Sequence, residues 1–287
     1  MSAVEHVFLI DQYRYAIVDL AALPEDALPS GIEVRRLVPE MLAGDSAKLP
    51  GLICLSDISD KNRVYLQENL ESAFRAERLH LLSCLLNAEN TIDSSTVVRH
   101  LTSRLIVDSP QGKAFLRYYD PRVLQHLEWI LEPSQWRALF GPISQWAVCE
   151  PLRLRKIVRP EIPGSRRWSV SAKQRRWLDH VGLLNETLKK ASRRQHTLKT
   201  SEADDLEALG QRILAAMAVA ETRYGMNHDQ DLVAFATHAV LHGDDFHERE
   251  VVQTLLASLA DDENTYADSG PLIDECLQAQ RRAEPRQ

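Results

Sequence analysis

Strand-like and helix-like apolar patterns alternate along this chain up to Pro151 and only helical ones follow it, which limits the fold to a mixed lobe followed by a helical one. Before it, residues 13–21, 33–38 and 51–56 are short runs rich in Ile, Val, Leu and Tyr. Turn sequences such as Leu23-Pro24 and Pro29-Ser30-Gly31 separate them, so they read as strands. Leu66, Leu70, Ala73, Phe74 and Glu77 then recur at helical spacing, residues 79–86 return to a buried-strand pattern, and residues 94–103 predict another helix. This alternation predicts an α/β lobe, a mixed sheet with flanking helices. After Pro151 the strand signals vanish. Residues 153–167, with Pro160, Pro163 and Gly164, read as a connector. Beyond it lie only helical stripes: Trp177, Val181, Leu184, Leu188; Leu206, Leu209, Ile213, Met217; Leu232, Phe235, Ala236, Ala239, Val240; Val251, Leu255, Leu256, Leu259. An all-α C-terminal lobe follows from them.

Residues 104–150 are the most legible. Residues 105–107 and 114–119 flank the turn Asp108-Ser109-Pro110-Gln111-Gly112, which predicts a hairpin. Asp120-Pro121 is a helix start, because a carboxylate accepts a free amide of the first turn and proline lacks the N–H that this position leaves unused. Its apolar stripe is Val123, Leu124, Leu127, Ile130 and Leu131. A short helix over 134–140 stops at Gly141-Pro142, and residues 143–149 form a closing strand.

Charge divides the chain more sharply than its net −7 suggests. Residues 1–150 carry 14 basic and 20 acidic side chains, residues 151–200 carry 14 and 3, and residues 201–287 carry 6 and 18. The expected layout is therefore an acidic α/β lobe over 1–150, a basic connector with the first helix of the second lobe over 151–200, and an acidic helical lobe over 201–287. The basic segment 153–199, with Trp168 and Trp177 interleaved, has three readings: a nucleic-acid surface, a bridge between the acidic lobes, or a face for an acidic partner. A sequence pI near 5.8 and the acidic flanks argue against nucleic acid.

Other function classes find little support. The cysteines Cys54, Cys84, Cys149 and Cys276 form no CxxC pair and read as buried thiols. No basic run and apolar stretch mark a leader at the N-terminus, where Val7-Phe8-Leu9-Ile10 is short and flanked by Glu5 and Asp11. The longest apolar runs, 81–86 and 213–220, fall far short of the ~18 residues that span a bilayer, so no membrane insertion and a cytoplasmic location are expected. His238 and His242 stand at the i, i+4 spacing of zinc proteases, but Ala239 occupies the position of the catalytic Glu. A helical wheel places both on a solvated flank. GxSxG, GxxxxGK and GxGxxG are absent, and pairs such as Asp204-Asp205 and Asp261-Asp262 suit helix starts. Neither a cofactor nor a metal nor enzymatic activity is expected. Trp129 lies about 160° from the centre of its helix's stripe, so either the other lobe or a partner covers it.

Phe115-Leu116-Arg117-Tyr118-Tyr119-Asp120-Pro121-Arg122-Val123-Leu124, followed by Leu139-Phe140-Gly141-Pro142-Ile143 and Trp146, resembles the signature of the type VI secretion effector chaperones. His100-Leu101 and the hairpin with Gly112 fit the same pattern, and His242-Gly243-Asp244-Asp245-Phe246 more loosely resembles a helix-loop-helix of that family. The resemblance implies a non-enzymatic adaptor with an α/β lobe and a helical lobe. It would bind an effector's N-terminal region and help load it onto the spike protein VgrG. Arg117 and Asp120 are placed to pair with each other across the strand-to-helix turn. Tyr119, Arg122 and Trp129, with Arg166, Arg167 and Trp168 of the basic stretch, are the candidate partner contacts.

Overall fold

A computed structural model describes residues 10–24, 27–75, 81–150, 153–194, 203–259 and 265–283. Residues 7–9, 76–80, 195–199 and 261–263, which carry parts of the apolar N-terminal run, the expected helix and strand over 62–86, the basic stretch and an acidic cluster, lie outside them. Two compact units make up the chain, Met1–Arg175 and Arg176–Gln287.

The first unit runs β1 (Tyr15–Val18), β2 (Val34–Arg36), β3 (Gly51–Cys54), α1 (Asp60–Arg75), β4 (Cys84–Ala88), α2 (Ser94–Arg104), β5 (Ile106–Ser109), β6 (Gly112–Phe115), α3 (Pro121–Ile130), α4 (Pro133–Phe140), β7 (Ile143–Glu150) and β8 (Arg153–Val158). Six strands form one sheet in the order β2-β3-β1-β4-β7-β8, every pairing antiparallel, while β5 and β6 form a separate hairpin. Side chains alternate across a strand, so the register sorts them by face. Ala16, Ile53, Leu85 and Ala147 fall on one face and join Leu66 and Leu70 of α1 in a core. Tyr15, Leu86 and Trp146 fall on the other. There Trp146 meets Tyr118 and Phe140 edge-on, with ring centroids 5.7 and 6.0 Å apart. With both faces covered, the central strands read as unbroken apolar runs.

The expected strand signals and helix starts before Pro151 recur within a few residues. The expectation that strands end at Pro151 is corrected. Arg153–Val158 pairs with β7 over six residues, from Gln145↔Val158 to Glu150↔Arg153. Its sequence, Arg-Leu-Arg-Lys-Ile-Val, lacks strict alternation, and three basic residues in six mask the strand. Leu154 packs on the α1-side core and Ile157 is buried.

In the second unit α5 (Ala172–Asp179), which straddles the boundary, leads to α6 (Val181–Arg194), α7 (Ala203–Tyr224), α8 (Asp229–His242), α9 (Glu250–Leu259) and α10 (Gly270–Ala283). The architecture is thus the expected α/β lobe followed by an all-α lobe. α8 sits at the centre of the second, in contact with α6, α7 and α10, and Phe235 and Phe246 meet edge-on at 4.9 Å in its core. Among the described residues no helix is long and apolar enough to cross a membrane.

Candidate partner-binding surface

The stretch from α2 to β7 is built around its most distinctive residues. Asp120 caps α3, its carboxylate accepting from the amide of Arg122 at 3.0 Å, and Pro121 occupies the first turn. The Tyr118 hydroxyl donates to the Leu101 carbonyl at 2.8 Å in a fully buried position. His100 Nε2 lies 2.9 Å from the Leu139 carbonyl, which fixes the tautomer as the one with its proton on Nε2. Gly141, at φ +52°, ends α4 directly against that ring, where a Cβ would stand 2.1 Å from His100 Cε1. Burial, aided by the charges of Arg104 and Arg137 and opposed by the Leu139 hydrogen bond, holds the His100 imidazole down at about 4.

Tyr119 belongs to this scaffold. It is 1% exposed, meets Tyr118 edge-on at 5.9 Å, and burial pushes its phenol up to about 12. Its expected role as a partner contact is corrected. In the order Leu116-Arg117-Tyr118-Tyr119-Asp120 only Arg117 keeps substantial exposure, because the chain turns into α3 and carries both tyrosines inward.

The surface of this scaffold is a charge network. Arg117 Nη2 lies 2.9 Å from Asp19 and 3.4 Å from Asp120, so the expected Arg117–Asp120 pair exists and is shared with a residue at the end of β1. Arg122 forks onto the Asp120 carboxylate, with Nε donating at 3.0 Å and Nη2 at 2.8 Å. The carboxylate is buried and the Arg122 side chain is 62% exposed. A buried acceptor thus holds an exposed, pre-oriented guanidinium, the geometry that suits recognition of a carboxylate or carbonyl. Asp19 carries no motif signal, and only the fold brings it here.

Trp129 is half-buried and meets the buried His126 ring edge-on at 5.7 Å. Arg166 and Arg167 are exposed, and Trp168 is half-buried. The segment that carries these three is stitched to the first unit rather than free. Ser165 donates to the Ser134 carbonyl at 2.7 Å, the Trp168 indole to the Arg104 carbonyl at 3.2 Å, and Val170 to the Asp108 carbonyl at 2.8 Å. The Arg104 guanidinium stacks 5.0 Å from the Trp168 ring. Gln174, buried, donates to the Ile130 carbonyl at 2.8 Å and to Gln135 Oε1 at 2.7 Å. The candidates therefore fall at separate places. Arg122 marks the start of α3, Trp129 its end, and Arg166 with Arg167 an anchored loop.

At least five of the fourteen basic side chains of residues 151–200 form ion pairs within a unit. Arg155 pairs with Glu128 and Arg159 with Glu89 in the first, Arg176 with Glu221, Lys190 with Glu186 and Arg194 with Asp274 in the second.

His238 and His242 are not solvated, as the helical wheel suggests, but 2% and 7% exposed. The wheel assumes one buried face, whereas α8 is covered on several sides. Nε2 of His238 and of His242 lie 3.3 and 3.2 Å from one oxygen of Asp274, and His238 Nδ1 lies 2.7 Å from the Tyr266 hydroxyl. Burial would raise the Asp274 carboxyl, but the two histidine hydrogen bonds and the Arg194 charge hold it well below its ordinary range. Among the described residues no group of three or more His, Cys, Asp or Glu could hold a metal ion. Of the cysteines, Cys84 and Cys149 are buried thiols, whereas Cys54 and Cys276 are half-buried, a correction to the expectation for those two.

A family model described as a domain of unknown function, DUF4123, matches residues 54–138, from the end of β3 into α4. No curated protein and no solved structure matches the chain.

Proposed function

We propose that this protein is a cytoplasmic, non-enzymatic adaptor that binds a type VI secretion effector through the effector's N-terminal region and helps load it onto VgrG. The observation that carries the reading is the DUF4123 match, a family linked to type VI effector adaptors, over a segment that contains most of the residues resembling the chaperone signature. The structure supplies a reason for that signature. His100, Tyr118, Tyr119, Phe140, Gly141 and Trp146 lock α2, the hairpin, α3, α4 and β7 into one packed body. On that body Arg122 stands exposed beside its buried carboxylate, and the anchored loop presents Arg166 and Arg167. A rigid scaffold with exposed arginines suits protein recognition, where guanidinium groups are favoured interface anchors.

Co-expression with a type VI effector and a VgrG spike protein from the same genome tests the reading. The effector should be recovered in soluble form, in a complex that survives moderate salt, only when this protein is present. Equal recovery without it would overturn the adaptor role. Binding to nucleic acid that falls steeply with salt, in place of a protein complex, would favour a regulator acting through segment 153–199.

A further inference from the structure

The geometry points to β8 as a docking edge that takes up an extended, acidic segment of a protein partner as a seventh strand. The claim deepens the adaptor reading, on which it rests for the protein that supplies the strand.

The argument starts from hydrogen-bond parity. In an antiparallel pair, alternate residues turn their N–H and C=O toward the neighbour and the residues between them turn theirs away. Gln145 lies opposite Val158, which sets Ser144 opposite Arg159, and Arg159 donates to the Ser144 carbonyl at 3.0 Å. Residues 153, 155 and 157 share that parity and bond β7. Leu154, Lys156 and Val158 therefore direct three N–H and three C=O groups outward. Among the described residues no strand pairs with that side of β8. The opposite edge, β2, is only three residues long. Natural sheets guard such edges by shortness, charge or cover. β8 is twice as long as β2, Val158 is 68% exposed, and Ile162 just beyond it is 40% exposed. An apolar rim thus borders an open ladder, the arrangement that strand addition uses.

Charge selects the occupant. β8 holds Arg153, Arg155 and Lys156 and no acidic residue, and it opens the stretch with 14 basic and 3 acidic side chains. Arg155 is engaged by Glu128 across the sheet face, whereas Lys156 is exposed beside the outward ladder. A second copy of this chain pairing β8 to β8 through the outward groups and centred on Lys156 would set one lysine directly opposite the other, which is unfavourable. A strand with a carboxylate opposite Lys156 and an aliphatic side chain near Val158 satisfies both.

The test uses the full chain and an end-capped nonapeptide of alternating Glu and Val, with a Lys-Val nonapeptide as its counterpart. The acidic peptide should slow amide exchange at Leu154, Lys156 and Val158, while Arg155 and Ile157, already bonded to β7, change little. Lys156→Pro removes an outward N–H without touching a β7 bond, and should weaken peptide binding about tenfold or more. Lys156→Glu keeps the strand intact and should weaken it similarly, which guards against a proline variant that fails to fold. The proposal is overturned if the acidic peptide leaves these amides unchanged, if both variants bind it as tightly as the wild type, if the Lys-Val peptide binds equally well, or if the chain instead dimerises through this edge. None of these readouts uses an effector, so failure here is distinct from failure of the co-expression test.

Discussion

Acidification from pH 7.5 to 5.0 should weaken the first unit through the half-buried imidazole of His100. Its folded-state value is about 4 against an ordinary 6.5, so the folded form holds the neutral ring while the unfolded chain takes up a proton. The unfolded state binds more protons throughout the window between these values. Stability therefore rises with pH there, is fully present above about 6.5, and is lost as pH falls through 4. At pH 5.0 the unfolded histidine is almost fully protonated and the folded one about one-tenth, which gives a loss of about 2 kcal/mol relative to pH 7.5. The physical cause lies in the packing. Nε2 is committed to the Leu139 carbonyl and the ring faces Gly141, so a second proton enters a crowded site with Arg104 and Arg137 near. Urea unfolding followed by tryptophan fluorescence suits the measurement, because Trp129, Trp136, Trp146 and Trp168 lie in the first unit and only Trp177 in the second. His247 in the second unit is also held low, chiefly by burial, so the comparison must be with a variant. His100→Gln retains a donor for Leu139 and does not titrate. It should lose about 2 kcal/mol less than the wild type over the same range. Equal pH dependence of the two proteins would refute a neutral His100 in the folded state.

Three further outcomes follow from the same geometry. Gly141→Ala should cost about 2–4 kcal/mol, because its Cβ meets the His100 ring and its φ is positive, and the His100→Ala background should relieve part of that cost in a thermal-melt cycle. Arg122→Ala should lower the melting point by only a few degrees, since the buried Asp120 carboxylate keeps Arg117 and the backbone amide of residue 122 as partners, while reducing effector recovery several-fold; unchanged recovery would remove Arg122 from the contact set. Asp274→Asn should destabilise the helical unit by about 2 kcal/mol at pH 7 by stripping charge from a carboxylate that serves His238, His242 and Arg194. Circular-dichroism melts should show that difference shrinking only below about pH 4, because the folded carboxyl sits far below its ordinary value and its stabilisation disappears as the group protonates.

Local signals carried most of the fold, and the failures share a cause. Asp120-Pro121 and Gly141 marked helix ends correctly because capping depends on neighbours within a turn. β8 was missed because Arg155 and Lys156 made a paired strand look like a solvated connector, although Leu154 and Ile157 kept a residue of burial on each face. His238 and His242 were misplaced because a wheel drawn from one stripe knows nothing of α10, whose Asp274 draws both rings inward. Asp19 is 98 residues from Arg117, and no sequence pattern links them.

The separation of scaffold from surface also bears on partner choice. A family signature that is mostly buried constrains how the body packs, and it constrains partners only through the few side chains it leaves outside. Here the buried set includes Leu116, Tyr118, Tyr119, Phe140 and Trp146 and His100 is half-buried, whereas Phe115, Arg117 and Arg122 retain exposure. The match to residues 54–138 ends before β7, β8 and the anchored loop. Under the adaptor reading, a protein that shares the signature with this one but differs in β8 and the anchored loop should keep the fold and change its effector. Exchange of residues 153–167 between two such proteins should therefore transfer effector preference with little change in melting point. Transfer by residues 98–146 instead would place recognition on the scaffold.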